Sequence, residues 1–475
     1  MVFSSIIFLL FFFPVVFTLY RIVPVVLKNW VLLLASMVFY AWGAPKFIFV
    51  LLPLTAIDFM IVKKMYGMEN GRRKKAWLTF SIFINLGLLA YFKYANFFIE
   101  NVNAVLLELG ASQVQWVHVV LPIGISFFCF ETLTYSIDAY RGVIRPLKNL
   151  WDYYLYIFLF PKLIAGPIVR FNLIEDQMSA DNRKANSNDV ILGFWRFTIG
   201  LAKKVLIANV MAEKADWYLG GSLNDLSTST AWLGALAYTF QIYFDFSGYS
   251  DMALGMGRML GFRLPENFDN PYTSKSISEF WRRWHMTLGA WMKEYLYIPL
   301  GGNKVNSRRR LYFNLWLVFL ISGLWHGASW NFVIWGAYHG LFLILDRLFL
   351  VRWLEKMGAA FATLFTFIIV VIGWMFFRLE HFSDAIFVIR KMFSFEFATL
   401  PWFELREFNV IFIIATIFAF QTAFQKGKKL QELVYYTTYS TKVNIWISAT
   451  AMLLFFVAVA RVTSSGFNPF IYYRF

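Results

Sequence analysis

Apolar runs recur along almost the whole chain, at Ile6–Tyr20, Trp30–Trp42, Phe47–Val62, Leu311–Leu320 and Ile445–Ala460. A helix that crosses the hydrocarbon core of a bilayer takes about 20 mostly apolar residues. Several of these runs are shorter, which fits tilted, interfacial or re-entrant segments. Read by window, the chain holds roughly nine to thirteen membrane segments. Backbone polar groups in lipid must be bonded within the protein, so only helices and closed barrels span it. The alternating pattern of a membrane barrel is absent. The expected fold class is therefore an all-α polytopic membrane protein. Composition agrees: 59% of the 475 residues are hydrophobic, 15% are charged and the mean hydropathy is +0.57, against about half apolar and about a quarter charged for soluble domains. No internal repeat is evident, and no stretch has the composition of a separate soluble domain. The chain reads as a single membrane domain over residues 1–475.

The opening stretch, MVFSSIIFLLFFFPVVFTLYR, lacks the basic start and the small-residue cleavage site of a signal peptide, and reads as a retained first helix. Its first charge is Arg21, at the far end, which favours an outside N-terminus. Lys28, Lys63, Lys64 and the run Gly71–Lys75 mark further inside loops. The net charge of +16 is dispersed rather than gathered on one face. It reads as cationic cytoplasmic loops beside anionic lipid, and nucleic-acid binding is not expected. The one cysteine, Cys129, excludes an internal disulfide and a cysteine-based zinc site. Its apolar surroundings make it a packing residue.

The long polar and aromatic segment Arg263–His285 contains a proline turn, Asn270–Tyr272. Ser276 followed by Glu279 has the capping-box pattern, and predicts a helix from about Ile277 to Tyr297. Trp281, Trp284, Leu288 and Trp291 fall on one face of it, as in an amphipathic helix lying at or just below the membrane interface. His285 sits beside that stripe. The proline- and glycine-bearing stretch Phe160–Phe171 predicts a helix break that forms a funnel wall or a re-entrant turn.

Three of the five histidines, His285, His326 and His339, fall within the interval Trp284–His339. Ionisable side chains within membrane segments mark functional sites more often than not. A buried imidazole stays neutral and keeps its base form near neutral pH, which suits general-base attack on a hydroxyl. His326 stands in SGLWHGASWNF, flanked by Gly323, Gly327, Ala328 and Ser329. Those small residues either leave space for a substrate or pack helices together. His339 is 13 positions further on, which turns it to a different face of a continuous helix; a helix–helix hydrogen bond is its expected role. No His-x-x-x-His pair exists and no acidic residue neighbours His326, so no metal site is expected. Asp245 and Asp251, in QIYFDFSGYSDMALGMG, are expected to pair with arginines such as Arg258, Arg282 or Arg283, or to bind substrate hydroxyls. Arg282, Arg283, Trp325 and Asn331 join them as candidate substrate contacts.

Several long stretches in one order carry a resemblance: LPIGISFFCFETLTYSIDAYRG, LIAGPIVRF, YFDFSGYSDMALGMGRMLGFRLPENFDNPY, SISEFWRRWHMTL and GLWHG. Together they resemble the bacterial membrane-bound O-acyltransferases, in the branch that acetylates polysaccharides, typified by alginate O-acetyltransferase. The likeness runs from the N-terminus to at least Gly373–Arg378 and is loose beyond. It implies a multi-helix bundle with a central funnel or tunnel and re-entrant or interfacial helices. It places the family's catalytic histidine at His326 and its second polar position at His285. It implies no permanently bound cofactor, acetyl-CoA as the acetyl donor, and transfer toward hydroxyls of an exported polysaccharide from the bacterial inner membrane. SGNH-type partner proteins, periplasmic or membrane-tethered, are implied to finish the transfer. Lys304, Arg308, Arg309 and Arg310, with Lys203 and Lys204, are candidate contacts for the phosphates of coenzyme A, set against ordinary positive-inside topology. The competing expectation is a transporter or flippase, or a non-catalytic subunit of an export machine.

Overall fold

The computed structural model describes residues 1–399, 406–464 and 466. Among them every regular element is helical. Six helices are long and apolar enough to cross a membrane: Val25–Gly43, Arg72–Glu108, Trp330–Met357, Ala359–Arg378, Arg406–Ala423 and Thr441–Ser464; Phe8–Ile22 is apolar but shorter. The nine to thirteen membrane segments expected from the sequence also include shorter, tilted or re-entrant ones, which fall outside this set of six among the described residues. Other long helices, such as Ile125–Arg141 and Thr228–Met259, bury Glu131, Asp138, Asp245 and Asp251 along their length, and these polar residues take them out of a purely apolar window.

The chain, read from sequence as one domain, packs as two compact units. One comprises Met1–Gly193 with Met256–Pro265, and the other Phe194–Gly255 with Glu266–Phe475. In the first unit lie α1 (Phe13–Ile22), α2 (Val25–Gly43), α3 (Ile48–Tyr66), α4 (Arg72–Leu89), α5 (Ala95–Glu108), α6 (Ile125–Arg141) and α7 (Leu150–Phe158). Its centre is polar. The Asp58 carboxylate accepts from Ser81 Oγ at 2.6 Å and from Tyr153 Oη at 2.6 Å, and Asn85 and Ser136 also reach it. Buried polar groups of this kind are costly unless each finds a partner, and here four helices share the partners. Cys129 packs beside them with its thiol on the Asn85 carbonyl. After α7 a short helical turn, Phe160–Leu163, gives way to a break at Ile164–Gly166, within the proline- and glycine-bearing stretch expected to break. A Cβ on Gly166 would lie 2.5 Å from Lys162 Cα, so only glycine closes this turn. Lys162 is fully buried and paired with Glu131.

Helices α8 (Ser187–Ala202) and α9 (Thr228–Met259) carry the chain between units. In the second unit Gly200 and Gly248 let α8 and α9 touch backbone to backbone; a Cβ on Gly200 would sit 2.4 Å from the Gly248 carbonyl. There follow α10 (Ile277–Arg283), α11 (Met286–Met292), α12 (Arg308–His326), α13 (Trp330–Leu345), α14 (Ala359–Arg378), α15 (Arg406–Phe420), α16 (Gln425–Tyr436) and α17 (Thr441–Ser464). The core of this unit is aromatic, with Tyr243, Tyr272, Phe280, Trp284, Trp335 and Trp374 all buried. Trp284 meets Trp374 at 4.9 Å between centroids.

Candidate active site

The helix expected over Ile277–Tyr297 is broken in the middle. Its start is as read: the Ser276 hydroxyl accepts from the Glu279 amide at 3.1 Å, and the Glu279 carboxylate takes the Lys275 amide at 2.8 Å. At Trp284 the chain turns extended, and His285 adopts the left-handed conformation with φ 46° and ψ 54°. The cause is long-range. The stretch Asn267–Asp269 lies alongside and takes the main-chain bonds that a continuous helix would use, Asp269 N donating to Arg283 O at 3.0 Å and Met286 N to Asn267 O at 2.9 Å. The break leaves Trp284 outside the helix that carries Leu288 and Trp291, so the single face expected is interrupted, and all three side chains are buried in protein rather than anchored at an interface.

The break sets His285 inside the unit, 1% exposed. Its Nδ1 lies 3.0 Å from Asn267 Oδ1, and its ring meets Phe246 edge-on at 4.7 Å. Burial pushes its pKa down to about 3, so the ring is neutral throughout the physiological range. His326 arrives from a different direction, as the last residue of α12. The helix stops there because Gly327 turns extended and lies flush against Phe332; a Cβ on Gly327 would be 2.0 Å from that ring. Gly323 and Gly336 bring α12 and α13 into backbone contact, a Cβ on Gly323 falling 2.2 Å from the Phe332 carbonyl. Of the two roles open to the glycines beside His326, both Gly323 and Gly327 therefore take helix packing.

The two histidines meet across Trp325. Its ring centroid is 4.8 Å from that of His326 and 6.4 Å from that of His285. His326 is also walled by Trp335 and Phe377, each at 5.2 Å. Two buried imidazoles near one indole, enclosed by aromatic rings, make a low-dielectric site in which proton transfer and hydrogen bonds to developing charge gain strength. His339 lies outside it. Its ring packs on Trp281 at 5.0 Å and Trp335 at 5.1 Å. Among the described residues neither of its nitrogens has a hydrogen-bond partner, which corrects the helix–helix hydrogen bond expected of it: Gly373, on α14, faces it and offers no side chain to bond.

The other sequence candidates disperse. Asp245 pairs with Lys204 at 2.9 Å. Asp251 pairs with Arg196 at 2.7 Å and Lys203 at 2.6 Å. These partners replace the arginines expected from the sequence, because a π-helical turn at Lys203–Ala208 and the glycine contact press both lysines onto α9. Arg258 instead bonds Asp189 at 3.2 Å. Arg282 is exposed, and Arg283 is held by Glu279 at 2.7 Å and by Thr273 at 3.0 Å. Asn331 donates to the Leu379 carbonyl at 2.6 Å, closing the end of α14. Lys304, Arg308, Arg309 and Arg310 are exposed at the start of α12. They stand about 27 Å along the helix from His326 at about 1.5 Å per residue.

A cavity of about 510 Å³ within the second unit is lined in part by Asn267, the residue that holds His285. Trp195, Tyr243, Phe268 and Tyr435 give it aromatic walls. Its polar lining includes Ser250 and Asn267, and the amide of Asn267 bonds the Ser250 hydroxyl at 3.1 Å. The cavity thus ends on the groups that hold His285. Sequence reasoning missed Asn267. Its motif, RLPENFDNPY, contains four polar side chains within five residues, and nothing local distinguishes the one that bonds a histidine 18 positions away.

A model of the membrane-bound O-acyltransferase family matches residues 76–381, which include Asn267, His285 and His326. The chain is 39% identical to a protein of Azotobacter vinelandii named probable alginate O-acetylase, across the full length of both. It is 43% identical to the protein so named in Pseudomonas aeruginosa, over 86% of this chain and 78% of that one. It is 37% identical to a peptidoglycan O-acetyltransferase of Helicobacter pylori, over 82% of this chain and 80% of that one. With its buried histidine pair and its six apolar helices, the chain is a multi-pass membrane O-acyltransferase and belongs to the membrane-bound O-acyltransferase family.

Proposed function

We propose that this protein moves acetyl from a cytoplasmic thioester, acetyl-CoA, toward hydroxyls of an exported polysaccharide of the alginate type. The bacterial inner membrane is its place, and an SGNH-type partner on the outer side receives or completes the transfer. The observation that carries the reading is the enclosed His285–Trp325–His326 cluster; the names of the relatives supply the acyl group and the acceptor class. Neutral His326 takes the proton of the attacking hydroxyl as that oxygen bonds the thioester carbonyl carbon. The tetrahedral intermediate collapses with loss of the coenzyme A thiolate, which recovers the proton from the imidazolium. Trp325 and His285, on the flank of His326, orient the reactants and steady the developing oxyanion.

The basic cluster Lys304 and Arg308–Arg310 lies nearly a hydrocarbon thickness of about 30 Å from His326. It acts as an electrostatic attractor for the phosphates of the donor rather than as part of the reacting site. Asp245 and Asp251 are paired with lysine and arginine, so they do not offer free carboxylates to a sugar; Asp251 also lines the cavity.

The test is His326→Ala in cells, with acetyl content of the polymer and polymer export measured separately. Acetyl disappears and export continues if the reading holds. Surviving acetylation overturns it, and failed export with normal acetylation favours a transporter. Mass spectrometry of the cell's polymers with and without the gene identifies the acceptor.

A further inference from the structure

His285 is held by one side chain, and the way it is held defines which of its nitrogens is available. Asn267 Oδ1 accepts from the Thr287 backbone amide at 3.3 Å and from the Thr287 hydroxyl at 2.8 Å. A backbone N–H can only donate, so the atom facing it is the amide oxygen and not the nitrogen. The Asn267 nitrogen is used elsewhere, on Ser250 Oγ at 3.1 Å. An oxygen cannot donate to His285 Nδ1, so at 3.0 Å Nδ1 carries the hydrogen. In a neutral ring the lone pair then belongs to Nε2, and Nε2 is buried with no hydrogen-bond partner among the described residues. The left-handed backbone at His285 and the main-chain bond from Met286 to Asn267 fix the ring from behind.

We propose that Asn267 is a positioning residue that locks His285 as the Nδ1–H tautomer, so that Nε2 is the ring nitrogen presented to the reacting groups. The proposal rests on the acyltransferase reading. Of the charged groups around this shell, Asp251 and Glu266 pair with Arg196 and Lys203, Arg283 pairs with Glu279, and the exposed Asp269 carboxylate accepts from the Gln431 amide. On Trp325 lies the other histidine, His326, its ring centroid 4.8 Å from the indole. A charge introduced at position 267 therefore acts on His285 first.

The experiment measures coenzyme A thiol release from acetyl-CoA by membrane vesicles carrying wild type, His326→Ala, Asn267→Ala or Asn267→Asp, across pH. Asn267→Ala is expected to lower kcat about 10–100-fold, the usual effect of losing such an orienting partner, with KM for acetyl-CoA within about twofold. Asn267→Asp keeps oxygens for Nδ1–H and Thr287. It is expected to restore most of the rate at alkaline pH and to move the acid limb up by about one pH unit or more, because a carboxylate stabilises the imidazolium. A wild-type rate in Asn267→Ala overturns the proposal. So does an Asn267→Asp enzyme whose pH profile superimposes on the wild type, or one as impaired as Asn267→Ala at every pH; these decide the matter even where the alanine variant fails to accumulate. Wild-type vesicles no faster than His326→Ala vesicles would instead remove the acyltransferase reading itself.

Discussion

A residue other than glycine at φ 46° carries a backbone cost of roughly 1–2 kcal/mol, and His285 bears it. Asparagine visits this region several-fold more readily than most residues. His285→Asn is therefore expected to fold better than His285→Ala by about 1 kcal/mol, although both lose acyl transfer. Thermal melts of the detergent-solubilised variants beside their thiol-release rates check this; equal melting temperatures would mean that the backbone at 285 relaxes freely. Both histidines were legible from the sequence because ionisable groups are scarce in apolar chain. Their neighbours were not. Asp245 and Asp251 were read as pairing with arginines or binding substrate hydroxyls; the ion-pair partners they have, Lys204, Lys203 and Arg196, come from a different helix. That choice is made by the Gly200–Gly248 crossing, which no spacing along the chain announces.

The hairpin of α12 and α13 aims His326, and its precision comes from absent side chains. Gly323→Ala forces a methyl to within 2.2 Å of the Phe332 carbonyl, backbone that cannot rotate away. Overpacking commonly costs about 1–3 kcal/mol, and this variant belongs at the upper end, with the rate falling because His326 is displaced. Gly87, on α4, has nothing within 4 Å of its Cβ position. Gly87→Ala is expected to leave melting temperature and rate near wild type, or to raise the former slightly. Similar losses in both variants would refute the packing account. The hairpin itself was readable as two apolar runs around a glycine-rich joint. The capping box at Ser276 was equally readable. The break at Trp284–His285 was not, since it depends on main-chain bonds from Asn267 and Asp269 that become visible only when the fold is assembled. Elements follow from local pattern; the interruption that builds the site is imposed from outside its own element.

Across the whole molecule, the distribution of lysine and arginine predicts that the Gly71–Lys75 loop and the Asn303–Arg310 loop share the cytoplasmic side. The single cysteine is buried, which leaves a quiet background for labelling. Arg73→Cys and Arg309→Cys are expected to react with a membrane-impermeant maleimide only after the inner membrane is opened; labelling of either in intact spheroplasts would invert the topology. The all-helical membrane class was plain from the apolar runs. The number of spans was not, because long helices such as α6 and α9 bury carboxylates that a hydropathy window penalises. The division into two units was equally invisible in the sequence, and its connectivity reaches into biogenesis. Met256–Pro265 belongs to the first unit: Leu260 receives the Tyr20 hydroxyl at 2.9 Å, Arg263 grips Asp189 at 2.7 Å, and Phe262 lies under the Arg183 guanidinium. A ribosome that has just finished residue 193 has therefore not yet made the piece that closes what it has already inserted. The early helices must wait, half-assembled, while more than sixty further residues emerge, so a nascent chain stalled in this interval is the form most exposed to membrane quality-control proteases.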